Sequence, residues 1–350
     1  MANFIPGWLP LGLGSVPYTQ ADLAWTTVLR YFPSTPFWPQ LPRRSYLENM
    51  YVQYSEGFPG VVLEDQRIYV DRRQDLDPGL ERLYLAYLED DPSYGALGPD
   101  FSAALAALRE GKVNLPQPLP LLKGQVTGPV SWGLTVVDQN RRPLLYDEVL
   151  ADAVAKHLRL KATWQERLLS SYAASTLIFV DEPYLSAFGS AFVSLSREQI
   201  VRYLQEVLAG IKGLKGVHCC GNTDWSVLLE TPIDILSLDA YDYAASLALY
   251  PKEVAAFLER GGTIAWGIVP AGEAAEGETA EHLVERLHQA IDALAEKGVP
   301  REALLRSGLV SPSCGVGSLS NALAERVLEL ASQVSAIMRQ RYIFQEGGAT

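Results

Sequence analysis

The feature that most constrains the fold of this chain is an alternation of short apolar runs with longer amphipathic stretches. The runs are LGLGSVP (residues 11–17), FPGVVL (58–63), LLKGQVTGP from Leu121, TLIFVDEP from Thr176 and GVHCCG from Gly216. They continue with DILSLDAY from Asp234, TIAWGIVP from Thr263 and LRSGLVSPSCG from Leu305, about eight in all. Between the later runs the apolar residues recur with helical spacing: Ile200, Tyr203, Leu204, Val207 and Leu208 form one stripe, opened by Ser194 or Ser196 as N-cap and closed by Gly210 and Gly213. PKEVAAFLERGG, TAEHLVERLHQAIDALAEKG and the stretch 319–338 repeat the design. Continuously apolar strands, each followed by a helix, imply a parallel sheet covered by helices. About eight such units predict an α/β fold of the single closed (β/α)8 barrel (TIM barrel) type, with the open doubly wound sheet second. The first third, rich in proline and aromatic residues, is less regular.

No linker, repeat or low-complexity segment divides the 350 residues, so one domain over 1–350 is expected. A net charge of −12 repels phosphates and anionic membranes, which argues against a nucleic-acid or membrane partner and for a small molecule. No apolar run approaches the roughly 20 residues of a membrane span, and MANFIPGWLP lacks the pattern of a secretory signal. With only three cysteines, reduced thiols in the cytoplasm are expected.

A barrel assembles its active site at the C-terminal ends of its strands. The unusual residues fall there: Asp181 and Glu182, His218 and Cys220, Asp239, and Cys314. In His218-x-Cys220 the two side chains share one side of a strand, because side chains alternate with period two, and Cys219 points to the helix layer. An imidazole and two thiolates, the second from Cys314, suit tetrahedral Zn2+. A carboxylate, with Asp239 the nearest candidate, or water or substrate would complete the set. The competing reading makes these packed core residues, since free cysteine is commonly buried. The presence of Cys314 at a different strand end favours the metal. Zinc would hold a substrate thiol as the nucleophilic thiolate, which points to sulfur alkylation.

The segments GLGSVPYT, GQVTGPVSW, IFVDEPYL, HCCGNTDW, ILSLD and VSPSCGVGS, in this order, resemble the catalytic barrel of cobalamin-independent methionine synthase. They are equally similar to the methylcobalamin:thiol methyltransferases of the uroporphyrinogen decarboxylase-like barrel superfamily. The resemblance spans most of the chain. It implies His218, Cys220 and Cys314 as zinc ligands, with Asp239 where methionine synthases have a ligating glutamate. It implies Asp181 at the amino group of homocysteine, and Gly14 and Ser15 at its carboxylate. Glu182 beside Asp181 joins the expected substrate contacts, although such a doublet also serves as a helix cap. Trp132 would stack on a flat donor ring, or simply pack.

The expected activity is therefore zinc-dependent methyl transfer to a thiol, homocysteine foremost, with Asp181 and Asp239 assisting. The donor would be methyltetrahydrofolate or a methylated corrinoid protein. No second barrel and no basic cluster for a polyglutamate tail is apparent, which favours the corrinoid protein. Uroporphyrinogen decarboxylation itself fits less well, since a substrate bearing several carboxylates calls for an arginine-rich pocket and decarboxylation needs no His/Cys/Cys zinc site. Residues 35–75, with Arg43, Arg44, Glu48 and Glu56, would form a lid. His157, His282 and His288 lie on helical segments and carry no expected chemistry. Two alternatives remain: a thiol-binding barrel that docks a carrier without turnover, and carbon–sulfur bond chemistry on the same fold.

Overall fold

The computed structural model describes residues 4–191 and 193–343. Its strands are β1 (Val61–Glu64), β2 (Arg67–Val70), β3 (Leu121–Thr127), β4 (Val137–Asp138), β5 (Ser175–Asp181), β6 (Leu214–Cys219), β7 (Ile235–Leu238), β8 (Thr263–Val269) and β9 (Gly308–Pro312). Six of them, in the order β3-β5-β6-β7-β8-β9, form one parallel sheet. Several of the helices that follow these strands start where a side chain satisfies free backbone N–H groups of the first turn. Ser196 and Gln199 form a reciprocal capping box on Arg197–Ala209. Asp147, Thr279 and Ser320 cap Glu148–Leu169, Ala280–Ala295 and Asn321–Tyr342. Among the described residues no helix is long and apolar enough to cross a membrane.

The strands β3, β8 and β9 are buried along their whole length, as a sheet covered on both faces requires. One face packs on the helices. From the other, Leu121, Leu177, Phe179, Ile235, Ala265 and Leu309 meet Leu11 and Leu13 in a separate inner cluster. Gly216 belongs to this inner face, because a Cβ there would stand 2.0 Å from the Phe179 ring. By strand alternation His218 and Cys220 then lie on the same inner face, above it.

The sequence expectation of eight regular strands is corrected in two places. FPGVVL does not supply a strand of the parallel sheet. Its second half is β1, which pairs antiparallel with β2 through a turn at Asp65 and Gln66, both with positive φ as a type I′ hairpin demands. β2 in turn pairs with β4 in a small second sheet. LGLGSVP is extended but forms no ladder strand. The edges β9 and β3 are instead linked by two irregular segments, residues 8–16 and 36–40. Leu11 N–H donates to Val310 O at 2.7 Å, Gln40 N–H to Gly14 O at 3.0 Å, and Trp38 N–H to Lys123 O at 3.1 Å. Pro6, Pro10, Pro17, Pro36, Pro39 and Pro42 lie in or beside these segments and have no N–H to donate, so ladder pairing breaks into isolated bridges.

Buried Lys123 fastens the two segments to β3. Its Nζ donates to Leu13 O at 2.8 Å and to Gln125 Oε1 at 3.1 Å, and Gln125 Nε2 donates to Trp38 O at 3.1 Å. The ammonium also stands 4.6 Å over the Phe179 ring. Burial pulls its pKa down to about 8, against the pull of the Asp181 charge.

Candidate metal centre

The ladder register decides which side chains meet. Asp181 is the partner of His218 across β5 and β6, and His218 is the partner of Ser237 across β6 and β7. Cys220 follows one residue past the end of β6, and Cys314 two past β9. Ligand atoms of His218, Cys220 and Cys314 lie within 4.8 Å of one another. Buried His218 has Nδ1 3.0 Å from Ser237 Oγ, while its Nε2 has no hydrogen-bond partner among the described residues. An orphaned buried nitrogen beside two thiols costs free energy unless something accepts its lone pair. This donor set of one nitrogen and two sulfurs fits Zn2+. The hydrogen bond from Cys314, aided by His218, holds the Cys220 thiol well below the ordinary range, against the opposing effect of burial. The same contact with Cys220, together with burial, pushes Cys314 up.

Cys219 points away from this group. It is fully buried in the helix-facing layer, with its thiol pushed up to about 12 by burial. The cluster opens on a cavity of about 240 Å3, lined by Ser15, Gln40, Asn49, Met50, Asp181 and Gly315 among others. At its wall, Asp181 Oδ1 is shielded from solvent and has no partner among the described residues, and burial raises this carboxyl to about 6, opposed by Lys123 and His218. Ser15 meets the loop after β9 closely. Its Oγ accepts from Gly317 N–H at 3.3 Å, and a Cβ on Gly315 would stand 2.3 Å from it. Gly14, next to it, has φ +143° and leaves no room for a Cβ against Gln125 and Gln40.

Three sequence expectations are placed elsewhere. Glu182 is fully buried with its carboxylate turned to the start of the helix Pro129–Thr135, where it accepts from Val130 N–H (2.9 Å), Ser131 N–H (2.7 Å) and Ser131 Oγ–H (2.6 Å). Burial outweighs these bonds and raises it to about 7. It is a helix cap, not a cavity wall. Trp132 is fully buried, donates to Tyr51 O at 2.7 Å and packs on Phe58 with ring centroids 5.0 Å apart, so no donor ring reaches its face from the cavity. Asp239 lies outside the group of three ligands; its Oδ1 accepts from Asp242 N–H at 3.0 Å as the cap of Ala240–Leu247, and burial raises it to about 6.

Residues 40–50 wall the cavity and are anchored at several points. Arg43 donates to Ser318 O (2.7 Å), Arg44 pairs with Glu48 (2.8 Å), and Glu56 accepts from Gly98 N–H (2.7 Å). Glu48 lines the cavity, which its sequence context did not reveal. The other histidines are packed or paired: His157 is buried against Tyr54 O (2.7 Å), His282 meets Glu278 (2.6 Å) and His288 meets Tyr342 (2.7 Å). Sequence reasoning missed Ser237, although period-two alternation from Asp239 along SLD puts it on the inner face.

No family model matches the chain, and no curated protein matches its sequence. Solved structures do resemble it. A B12-independent methionine synthase from Shewanella sp., in complex with selenomethionine, superposes over 95% of this chain and 98% of that one, with a TM-score of 0.56 and 17% identity. A putative vitamin-B12 independent methionine synthase from Listeria monocytogenes covers 91% and 86%, with a TM-score of 0.55 and 13% identity. A methyltransferase from Methanosarcina mazei covers 93% and 86%, with a TM-score of 0.54 and 13% identity. At these identities the likeness establishes the fold alone.

Proposed function

We propose that this chain is a zinc-dependent methyltransferase that methylates the thiol of homocysteine, with a methylated corrinoid protein or methyltetrahydrofolate as donor. In this reading the segments 8–16 and 36–40 stand as the two remaining staves of a closed barrel. The observation that carries the reading is the orphaned Nε2 of buried His218 beside two thiols at the mouth of a small cavity.

His218 Nε2, Cys220 Sγ and Cys314 Sγ would hold the metal. When bound, zinc supplies a Lewis acid that keeps a substrate thiol as thiolate near neutral pH. The chain's own residues position the acceptor. Asp181 Oδ1, shielded and unpartnered, offers its charge to an ammonium group, and the desolvation it suffers is offset once a cation arrives. The Ser15 turn, clamped between Gln40 and the loop at Gly315, meets the other end of the amino acid. A cavity of about 240 Å3 suits a ligand of amino-acid size. Met50 and Pro42 present apolar surface that keeps water from the sulfur. Holding both reactants in line accounts for much of the rate.

The test supplies zinc-loaded protein with homocysteine and, in turn, methylcobalamin, a methylated corrinoid protein or methyltetrahydrofolate, and follows methionine by mass. Methionine formed with one donor, and abolished in Cys314→Ser, supports the reading. Homocysteine binding without turnover under every donor would replace it with the carrier-docking reading.

A further inference from the structure

The imidazole of His218 is engaged at one nitrogen and free at the other. A neutral ring has one N–H and one lone pair, so the partner at Nδ1 selects which nitrogen keeps the lone pair. That partner is Ser237 Oγ at 3.0 Å. The contact is built into the sheet. Ser237 is the ladder partner of His218, fully buried, and its side chain stands on the same inner face. Two residues on, Asp239 is occupied as a helix cap, so the inner face of β7 reaches the cluster through its serine.

We infer that Ser237 is a positioning residue of the metal centre: its hydroxyl oxygen accepts the Nδ1 proton of His218 and so leaves the Nε2 lone pair aimed at the space between Cys220 and Cys314. This rests on the zinc reading of the site. Without the hydroxyl, the buried Nδ1–H loses its acceptor, and the ring is free to rotate or to change tautomer. Partners of this kind typically contribute about 10–100-fold to metal affinity.

The experiment measures zinc affinity of the metal-free protein by competition with a chromophoric chelator, in wild type and in Ser237→Ala, Ser237→Thr and Ser237→Val. Threonine and valine have nearly the same shape, so their difference isolates the hydroxyl even if the alanine variant disturbs packing. The expected result is zinc binding weakened about 10–100-fold in the alanine and valine variants and restored to within a few-fold of wild type by threonine. Cobalt-substituted protein gives a second readout, with thiolate-to-cobalt absorption retained in all variants and altered ligand-field bands in the alanine and valine forms. Equal affinity of the threonine and valine variants, with unchanged cobalt bands, overturns the inference and leaves the metal centre standing. No zinc bound by wild type overturns the zinc reading and the inference with it.

Discussion

Glu182 separates two roles that its sequence context allows, since a substrate contact and a helix cap respond differently to removal. Glu182→Ala strips the acceptor from Val130 N–H and Ser131 N–H, both buried at the start of a helix. Each orphaned donor costs about 1–3 kcal/mol, so the loss is about 2–6 kcal/mol when no charge is involved. Against this stands the cost of burying the carboxylate, which lifts its pKa from the ordinary glutamate range to about 7. A displacement of that size corresponds to about 3 kcal/mol. The sign follows from linkage. A folded-state pKa above the unfolded one means that folding takes up a proton, so wild type loses stability as pH rises from about 4.5 to 7. The alanine variant lacks that slope. Its deficit is therefore largest near pH 5 and shrinks toward pH 8. With an unfolding entropy of about 2.1 cal/mol/K per residue, a deficit of 3 kcal/mol lowers the Tm of a chain this long by about 4 °C. Calorimetry of the metal-free protein at pH 5 and pH 8 measures both numbers. An unchanged Tm at both values, or a deficit that grows with pH, would refute the cap and return Glu182 to the substrate.

Cys220→Ser and Cys314→Ser are expected to lose most bound zinc by elemental analysis, whereas Cys219→Ser keeps about one zinc per chain. The last variant should still unfold a few degrees earlier, because it places a hydroxyl in an apolar layer; equal zinc in all three would remove the ligand assignment. Gly216→Ala puts a Cβ 2.0 Å from the Phe179 ring, directly below His218. The expected cost is about 1–3 kcal/mol of stability with weakened zinc binding, and a neutral result in both would contradict the close approach of strand and ring. Asp181→Asn should raise KM for an amino-acid thiol by tenfold or more while zinc content stays whole; an unchanged KM would remove Asp181 from the acceptor site.

The periodic patterns of this chain made its α/β architecture legible, because a strand buried on both faces and an amphipathic helix are each consequences of local residue order. The six ladder strands and the cap at Ser196, one of the two serines the pattern offered, follow from such local signals. The approach of His218, Cys220 and Cys314 was also readable, since alternation along one strand sets the first two on one side and a parallel sheet gathers the C-terminal ends of its strands along one edge. Where the chain leaves regular periodicity, the sequence was silent. The prolines around residues 6–17 and 36–42 signal a broken ladder but do not say that buried Lys123 and Gln125 will fasten the two segments to β3. Glu182 and Asp239 read as site residues because both end strands, yet Glu182 is occupied by backbone N–H groups some fifty residues away that tertiary packing brought within reach, and Asp239 by the N–H of Asp242 in the helix it caps. Strand alternation sets the side of the sheet on which a side chain projects. Only the tertiary structure decided which polar groups lay close enough to bind it, because hydrogen bonds reach about 3 Å and sequence spacing does not measure that distance across strands.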